Sequence, residues 1–255
     1  MDDPSISRIY DDYMGGGQNF GPDRAFAQQV RAVLPDVQAL ARAARGFLDR
    51  ALRYCLMHGI DQVIDIGAGI ASEWSSHHVV HAMHPAARLL YVDNEAVAVE
   101  SLVRATRHDA RVGVLRADVR EPEAILEAAE ASGLIDLAQP VAIVMGLLLH
   151  FIPDTDDPAG LLRRYGQGVA PDSYLVMSHD TADGREADMR RVAELYAQTN
   201  RPLILRSHAE LTALLDGYQL EPPGIVYLPQ WSPDAGDPDI GPPERSCVYV
   251  GVART

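Results

Sequence analysis

Lysine is missing from this chain: all 22 basic residues are arginine. That excludes Schiff-base chemistry of the pyridoxal or aldolase kind. It equally excludes a Walker A lysine and the strand lysine of kinases. Cysteine is scarce. Cys55 and Cys247 lie far apart and make neither a disulfide framework nor a metal-spaced cluster, which suits a reducing cytoplasm. Positive charge is in deficit, with 22 basic against 36 acidic residues and a net charge of −14. Nucleic-acid binders cluster Lys and Arg to displace counterions from phosphates. Here the arginines are scattered and the acidity reads as solubility. Long apolar runs are absent too. The longest, Val141 to Leu149, is about half of the ~18 residues a membrane span needs. The acidic start Met1-Asp2-Asp3-Pro4 lacks the apolar stretch of a signal peptide. Neither nucleic acid nor membrane is therefore expected as a partner, and the expected location is cytoplasmic.

What is present is an ordinary globular composition: 255 residues, 47% of them hydrophobic. Apolar residues at spacings of three and four predict helices over 22–34 and 36–58, the latter stopped by Gly59. From Gln62 onward short apolar strands alternate with helices. Strands are predicted over 62–66, 88–93, 112–115, 141–148 and 173–178. Helices are predicted over 71–83, 95–107, 121–131, 157–165, 183–199 and 207–215. Asp157-Pro158 reads as a cap followed by a first-turn proline, and Ser207 with Glu210 as a capping box. Segments 218–228 and 247–253 are β-rich, joined by the Pro/Gly-rich loop 230–246. Strands alternating with helices imply βαβ units, and strands apolar throughout imply a parallel sheet covered on both faces. The expected architecture is an α/β doubly wound domain over residues 60–255, with a helical extension, residues 1–59, packed on it as a lid.

The most informative segment is Val63-Ile64-Asp65-Ile66-Gly67-Ala68-Gly69, lying after a strand and before a helix. Glycines there permit a tight turn and let a ligand lie against backbone at a helix N-terminus. The third glycine of a dinucleotide fingerprint is missing, because Ser72 occupies its place. Asp65 stands two residues before the first glycine, where a carboxylate repels phosphate and attracts an ammonium. The second strand ends in Tyr91-Val92-Asp93-Asn94, and an acid there can accept from both ribose hydroxyls. The third ends in Arg116-Ala117-Asp118-Val119, where a carboxylate can accept from an exocyclic adenine amine. Three acids at neighbouring strand ends fit a positively charged nucleoside without phosphate, and S-adenosylmethionine is such a molecule.

In these residues the chain resembles the class I S-adenosylmethionine-dependent methyltransferases. More narrowly it resembles an actinobacterial S-adenosyl methyltransferase family long grouped as a domain of unknown function. The narrower likeness rests on Ser7 to Phe20, Tyr91-Val92-Asp93-Asn94, Leu149-His150-Phe151-Ile152-Pro153-Asp154 and Ser173 to His179. The resemblance implies a Rossmann-like, mostly parallel seven-stranded sheet with an antiparallel last strand. It implies S-adenosylmethionine as cofactor, with Gly67 and Gly69 around the methionine part and Asp93 with Asn94 at the ribose. Asp118 or the Val119 amide would then meet the adenine, and Gly146 would lie near the methionine amine.

Beyond these, Tyr13-Met14-Gly15-Gly16-Gly17 reads either as a flap or as a flexible connection. As a flap, the amides of Gly15 and Gly16 would approach the cofactor carboxylate and Tyr13 would wall the site. His150 follows the fourth strand, where open α/β sheets bind ligands, and can orient an acceptor or take its proton. His179, beside Asp180 after the fifth strand, is the second catalytic candidate, although neighbours on a strand point apart. His77, His81 and His84 share a helix face, and Asp154, Asp156 and Asp157 form an acidic stretch, but no metal site is assigned to either. No Asn/Asp-Pro-Pro-Tyr follows the fourth strand and no cysteine lies near it, which turns the expectation to a small-molecule acceptor. A homodimer is left open. Two other readings stand beside methyl transfer. One is a non-catalytic S-adenosylmethionine sensor; the other is a nicotinamide oxidoreductase, which would want the third glycine.

Overall fold

Burial along the strands alternates between two helix layers, and that alternation determines which strand-end residues meet a ligand. The computed structural model describes residues 4–255. The acidic start Met1-Asp2-Asp3, and with it the expectation about a leader, lies outside the described residues. Strands β1 (Gln62–Ile66), β2 (Arg88–Asp93), β3 (Val112–Arg116), β4 (Ala142–Gly146) and β5 (Tyr174–Asp180) pair in parallel. The short strands β6 (Gln219–Leu220) and β7 (Val226–Tyr227) and the longer β8 (Val248–Arg254) complete the sheet. Its order is β3-β2-β1-β4-β5-β8-β6, with β7 also paired to β8, and every pairing of β8 is antiparallel. The sheet thus has eight strands where seven were expected. Segment 218–228 divides in two because Pro222 and Pro223 carry no amide hydrogen for the ladder.

The helices are α1 (Ile6–Met14), α2 (Gly21–Val33), α3 (Val37–Met57), α4 (Ser76–Met83) and α5 (Ala96–Thr106), then α6 (Pro122–Ala131), α7 (Pro158–Gln167), α8 (Glu186–Tyr196) and α9 (His208–Leu214). One sheet face carries Val63, Tyr91, Val144 and Val176 and packs with α1–α5 and α8. The other carries Ile64, Val92, Met145 and Met177 and packs with α6, α7 and α9. Alternate residues of one strand therefore lie in different cores, as the period of two requires. Both caps form as expected: the Asp157 carboxylate accepts from the Gly160 amide, and Ser207 and Glu210 close a capping box.

Two elements depart from the predicted pattern. The glycine-rich loop is preceded by a helix, α1, opened by the Ser5 side chain and closed by Gly15 at φ +83°. In addition α4 begins at Ser76 rather than Ala71, because Ser72 and Ser75 satisfy local amides with their hydroxyls. Ser72 N donates to Ser75 Oγ at 2.9 Å and Trp74 N to Ser72 Oγ at 3.1 Å. The five residues released lengthen the turn that crosses the ends of β1 and β2.

Candidate functional site

At the carboxyl ends of β1, β2 and β4 the chain forms a groove that opens into a deeper chamber. Gly67 and Gly69 have φ of +73° and +69°, so the turn after β1 runs through the left-handed region twice. A Cβ on Gly67 would strike the Leu148 side chain at 2.8 Å, whereas one on Gly69 would meet only open space. After β4, Leu147 is held at φ +49°, with its amide donating to Ser178 Oγ at 2.9 Å. A bulky residue in that conformation stores strain at the mouth of the site. Gly67 and Leu147 border both the groove and the chamber.

The groove, about 590 Å³ with its open side, is lined by Asp93, Asn94, Glu95, Ala117 and Val119. Asp93 is 6% exposed, and burial pushes its carboxyl pKa upward. Its Oδ2 accepts from the Gly69 amide at 2.9 Å and its Oδ1 from the Glu95 amide at 2.8 Å. The carboxylate thus ties the glycine turn to the start of α5 and keeps further lone pairs for a ligand. Asn94 reaches across to Asp118 at 3.3 Å. Asp118 itself is gripped by Arg120 at 2.9 and 2.7 Å, which holds its carboxyl well below the usual range. Val119 rather than the Asp118 side chain lines the groove wall. Glu95 accepts from the Ser7 amide at 3.2 Å and from the Ser5 hydroxyl, so the N-terminus of α1 is fastened across the groove.

The chamber, about 1070 Å³ with its mouth, is bounded by α1, α2, α3 and α8 and by the ends of β4 and β5. Gly146 is part of its wall, and a Cβ there would meet Leu48 of α3 at 2.7 Å. The small residue lets α3 settle on the strand end. Tyr13 lines the same space, with its hydroxyl 3.4 Å from that of Tyr196. Arg45 of α3 also lines it, stacked 5.3 Å from the Tyr10 ring and within electrostatic reach of Asp65.

The two histidines part company. His150 borders the chamber and is 2% exposed; burial pushes its pKa well below the ordinary value, so the ring is neutral. Its Nδ1 accepts from the Asp180 amide at 3.3 Å and lies 3.6 Å from the Asp180 carboxylate. His179 is fully buried on the opposite sheet face. Its Nδ1 donates to the Asp180 carbonyl at 2.7 Å, and its Nε2 accepts from Arg206 at 3.0 Å. Burial lowers its pKa to about 3. With both nitrogens engaged and no face on the chamber, His179 is a structural residue in this arrangement. Asp180 takes the place facing the chamber, one residue later on the strand.

Asp65 is directed away from both spaces. It is 3% exposed and accepts from Ser76 Oγ at 2.5 Å, so it braces the start of α4 from below. Gly15 and Gly16 are likewise spent locally. Their amides donate to the carbonyls of Asp12 at 3.1 Å and Asp11 at 2.8 Å, and neither borders the cleft. The loop is closed by Asp11, whose Oδ2 accepts from Gln18 N and Asn19 Nδ2, both at 2.8 Å. A Cβ on Gly16 would fall 2.0 Å from Asp11 Oδ1. Gly16→Ala is therefore expected to break this closure and speed amide exchange at Gln18 by about tenfold, roughly the worth of one hydrogen bond to a charged group. Exchange measured by NMR checks this, and an unchanged rate would contradict it. On α4, His77 bonds the Tyr91 hydroxyl at 2.8 Å and His81 the Ala87 carbonyl at 3.1 Å. Among the described residues no three His, Cys, Asp or Glu side chains gather to hold a metal ion. Among them, too, no helix is long and apolar enough to cross a membrane.

Arg45 and Asp180 line the chamber, and sequence reasoning did not single them out for it. Arg45 looks like one more arginine on the polar side of a long helix. Asp180 was visible only as a neighbour for His179, although strand alternation already separates the two.

A mostly parallel α/β sheet with a glycine turn after β1, a buried acid at the end of β2 and a groove between them has the layout of the Rossmann-like class I methyltransferases. The particular family follows from direct comparison. Residues 1–255 match the family model described as S-adenosyl methyltransferase, and the chain belongs to that family. S-adenosylmethionine is accordingly its cofactor. A family protein from Streptomyces avermitilis is 33% identical, with a TM-score of 0.94 over 99% of this chain and 98% of that one. A proposed methyltransferase from Thermobifida fusca is 29% identical, with a TM-score of 0.93 over 100% and 96%. The N-methyltransferase NodS of Bradyrhizobium japonicum, solved with S-adenosyl-L-homocysteine, shares the fold alone. Its identity is 12% and its TM-score 0.50, over 97% of this chain and 98% of that one. Among curated proteins none matches the chain.

Proposed function

We propose that this protein transfers a methyl group from S-adenosylmethionine to a small-molecule acceptor held in the chamber beneath α1–α3. The carrying observation is that a groove and a separate chamber meet at Gly67 and Leu147. The cofactor's size and chemistry suit the groove. The open space at Gly69 admits a ligand against backbone, and Asp93 is preset by two amides before any sugar arrives. When bound, the cofactor supplies an electrophilic methyl on a sulfonium, so the protein's tasks are alignment and exclusion of water.

In this reading Asp93 and Asn94 hold the ribose, and the Val119 segment borders the adenine. Gly67, Gly69 and Gly146 leave room for the methionine part, whose carboxylate pairs with Arg45. Asp65 supports the turn from beneath rather than touching the ligand. Residues 1–59 act as the lid, fastened at Glu95. His150 lies on the acceptor side. The chamber speaks for an enzyme rather than a sensor, because a sensor of the cofactor needs no second, largely aliphatic space beside the groove. A nicotinamide dinucleotide would have to lay its diphosphate beside Asp93 and Glu95, with Arg201 as the one cation among the groove's lining residues and no third glycine in the turn.

Calorimetry tests this reading. The protein should bind S-adenosylhomocysteine and ignore NAD. Arg45→Leu should weaken S-adenosylhomocysteine about tenfold, the loss of one charge-assisted contact. It should leave 5′-methylthioadenosine, which lacks the amino-acid carboxylate, unaffected. NAD binding would overturn the function; equal losses for both nucleosides would overturn the role of Arg45.

A further inference from the structure

The chamber is far more selective in its chemistry than the groove. Most of its wall is aliphatic, contributed by residues such as Val30, Leu40, Leu48, Met189 and Val192. Its polar groups are fewer, and one of them is Asp180, which closes β5. His150 lies beside Asp180, the hydroxyls of Tyr10, Tyr13 and Tyr196 are within electrostatic reach of it, and Arg45 stacks on Tyr10. The Asp180 side chain is 24% exposed, and its one ion-pair neighbour among the described residues is the neutral His150 at 3.6 Å. No arginine pairs with it, although arginine pairs with Asp23, Asp36, Asp109, Asp118 and Asp237 elsewhere. A lone carboxylate in an apolar, aromatic-walled space calls for a ligand hydrogen.

Resting on the methyltransferase reading, we infer that the chamber takes an apolar acceptor bearing one weakly acidic hydroxyl, of the phenol or enol kind, and that Asp180 removes its proton. The acceptor oxygen bonds to the methyl carbon while the carbon–sulfur bond breaks, and sulfur keeps that electron pair as a neutral thioether. The hydroxyl proton passes to the Asp180 carboxylate. Negative charge moves from Asp180 to the nucleophile and is cancelled against the sulfonium, so the step leaves one opposite-charge pair fewer in the apolar chamber. A protonated amine would enter the same space as a further cation beside the sulfonium and Arg45, which the low-dielectric wall disfavours. His150 is a positioning residue: its ring accepts from the Asp180 amide and keeps the strand end turned to the chamber.

The surroundings make Asp180 the group that titrates here near neutrality. Burial pushes it up to about 7. Burial pushes Tyr10 and Tyr13 from α1 and Tyr196 from α8 above their ordinary range. It also pushes Cys247, just before β8, up to about 12, and holds His150 neutral, while Arg45 on α3 stays cationic. The carboxylate forms as pH rises through that value, so hydroxyl binding should strengthen in the same direction.

The test is equilibrium binding of 2-naphthol, followed by its fluorescence, to the protein loaded with S-adenosylhomocysteine. The comparison ligands are 2-methoxynaphthalene and the cationic 2-(aminomethyl)naphthalene. The wild type should bind 2-naphthol at least about tenfold more tightly than either, a charge-assisted hydrogen bond's worth. Asp180→Asn should erase that preference while retaining S-adenosylhomocysteine, which reports that the variant is folded. In the wild type, 2-naphthol affinity should rise several-fold from about pH 6 to about pH 8, an arm that stands even where the variant fails to fold. Unchanged 2-naphthol affinity in Asp180→Asn, a flat pH profile, or preference for the amine would each overturn the inference and leave the cofactor reading intact. If S-adenosylhomocysteine itself does not bind, the cofactor reading falls and this inference with it.

Discussion

Asp93→Ala is expected to lower the affinity for S-adenosylhomocysteine about 100-fold, or ~2.7 kcal/mol. Two losses combine. The ribose hydroxyls lose a charged acceptor, worth roughly 1.5–3 kcal/mol. The site also loses its preset shape, since the same carboxylate accepts from Gly69 N and Glu95 N. Gly69 lies in the left-handed region, and the Asp93 bond holds it beside the amides of Gly67 and Ala68, which donate to the Val92 carbonyl. Asp93→Asn keeps one acceptor oxygen and should fall between the two, which separates charge from geometry. Calorimetry on folded variants decides the matter. Affinity within threefold of wild type for Asp93→Ala would mean that the ribose is held elsewhere.

Arg206→Leu should be the most destabilising single change in the segments around the chamber. The side chain is 4% exposed and carries most of the polar accounting of the turn after β4. It donates to the carbonyls of Leu149 at 3.1 Å and Ile152 at 2.8 Å, to His179 Nε2 at 3.0 Å, and to Asp154 Oδ1 at 2.7 Å. Leucine fills part of the space but leaves the Ile152 carbonyl and the buried His179 ring nitrogen without their donor, while the Leu149 carbonyl keeps only the Ile152 amide. Removing one member of such a network costs about 3–5 kcal/mol. For a chain of this size that corresponds to a fall in Tm of roughly 6–20 °C. The groups released belong to the turn that carries His150 and to the strand that carries Asp180, so acceptor binding should weaken as well. A shift in Tm below about 3 °C would show that water replaces the guanidinium without loss.

Much of this architecture could be read from the residues, because it depends on neighbours in the chain. Short apolar strands, the glycines after β1, the cap at Asp157 and the box at Ser207 and Glu210 are local patterns, and each forms where it was expected. What local pattern left open is instructive. Helix α1 carries its own cap and its own terminating glycine, yet it is short and polar, and it persists because Ile9 and Tyr13 are buried against other elements. The extra strand arises from a proline pair whose effect on pairing shows only beside β8. For site residues the division is sharper. Asp93 borders the groove and Gly69 the chamber, at the strand ends where the pattern put them. Asp65, Gly15 and Gly16 occupy equally suggestive positions, but Ser76 and the carbonyls of α1 take up their hydrogen bonds.

Sequence by itself determined the layered α/β order, the register of acids along the strand ends, and the family. The order and the acid positions follow from apolar strand runs, helical spacing and turn chemistry, which act over a few residues, whereas the family rests on the likeness of particular motifs. Only the tertiary structure decided which polar groups remain available to a ligand. Asp180 faces the chamber and His179 faces Arg206 because β5 lies between two helix layers. Arg45 reaches the cleft because α3 crosses the ends of β4 and β5, where Gly146 admits its close approach. Availability is set by partners distant in the chain, and no window of sequence contains them.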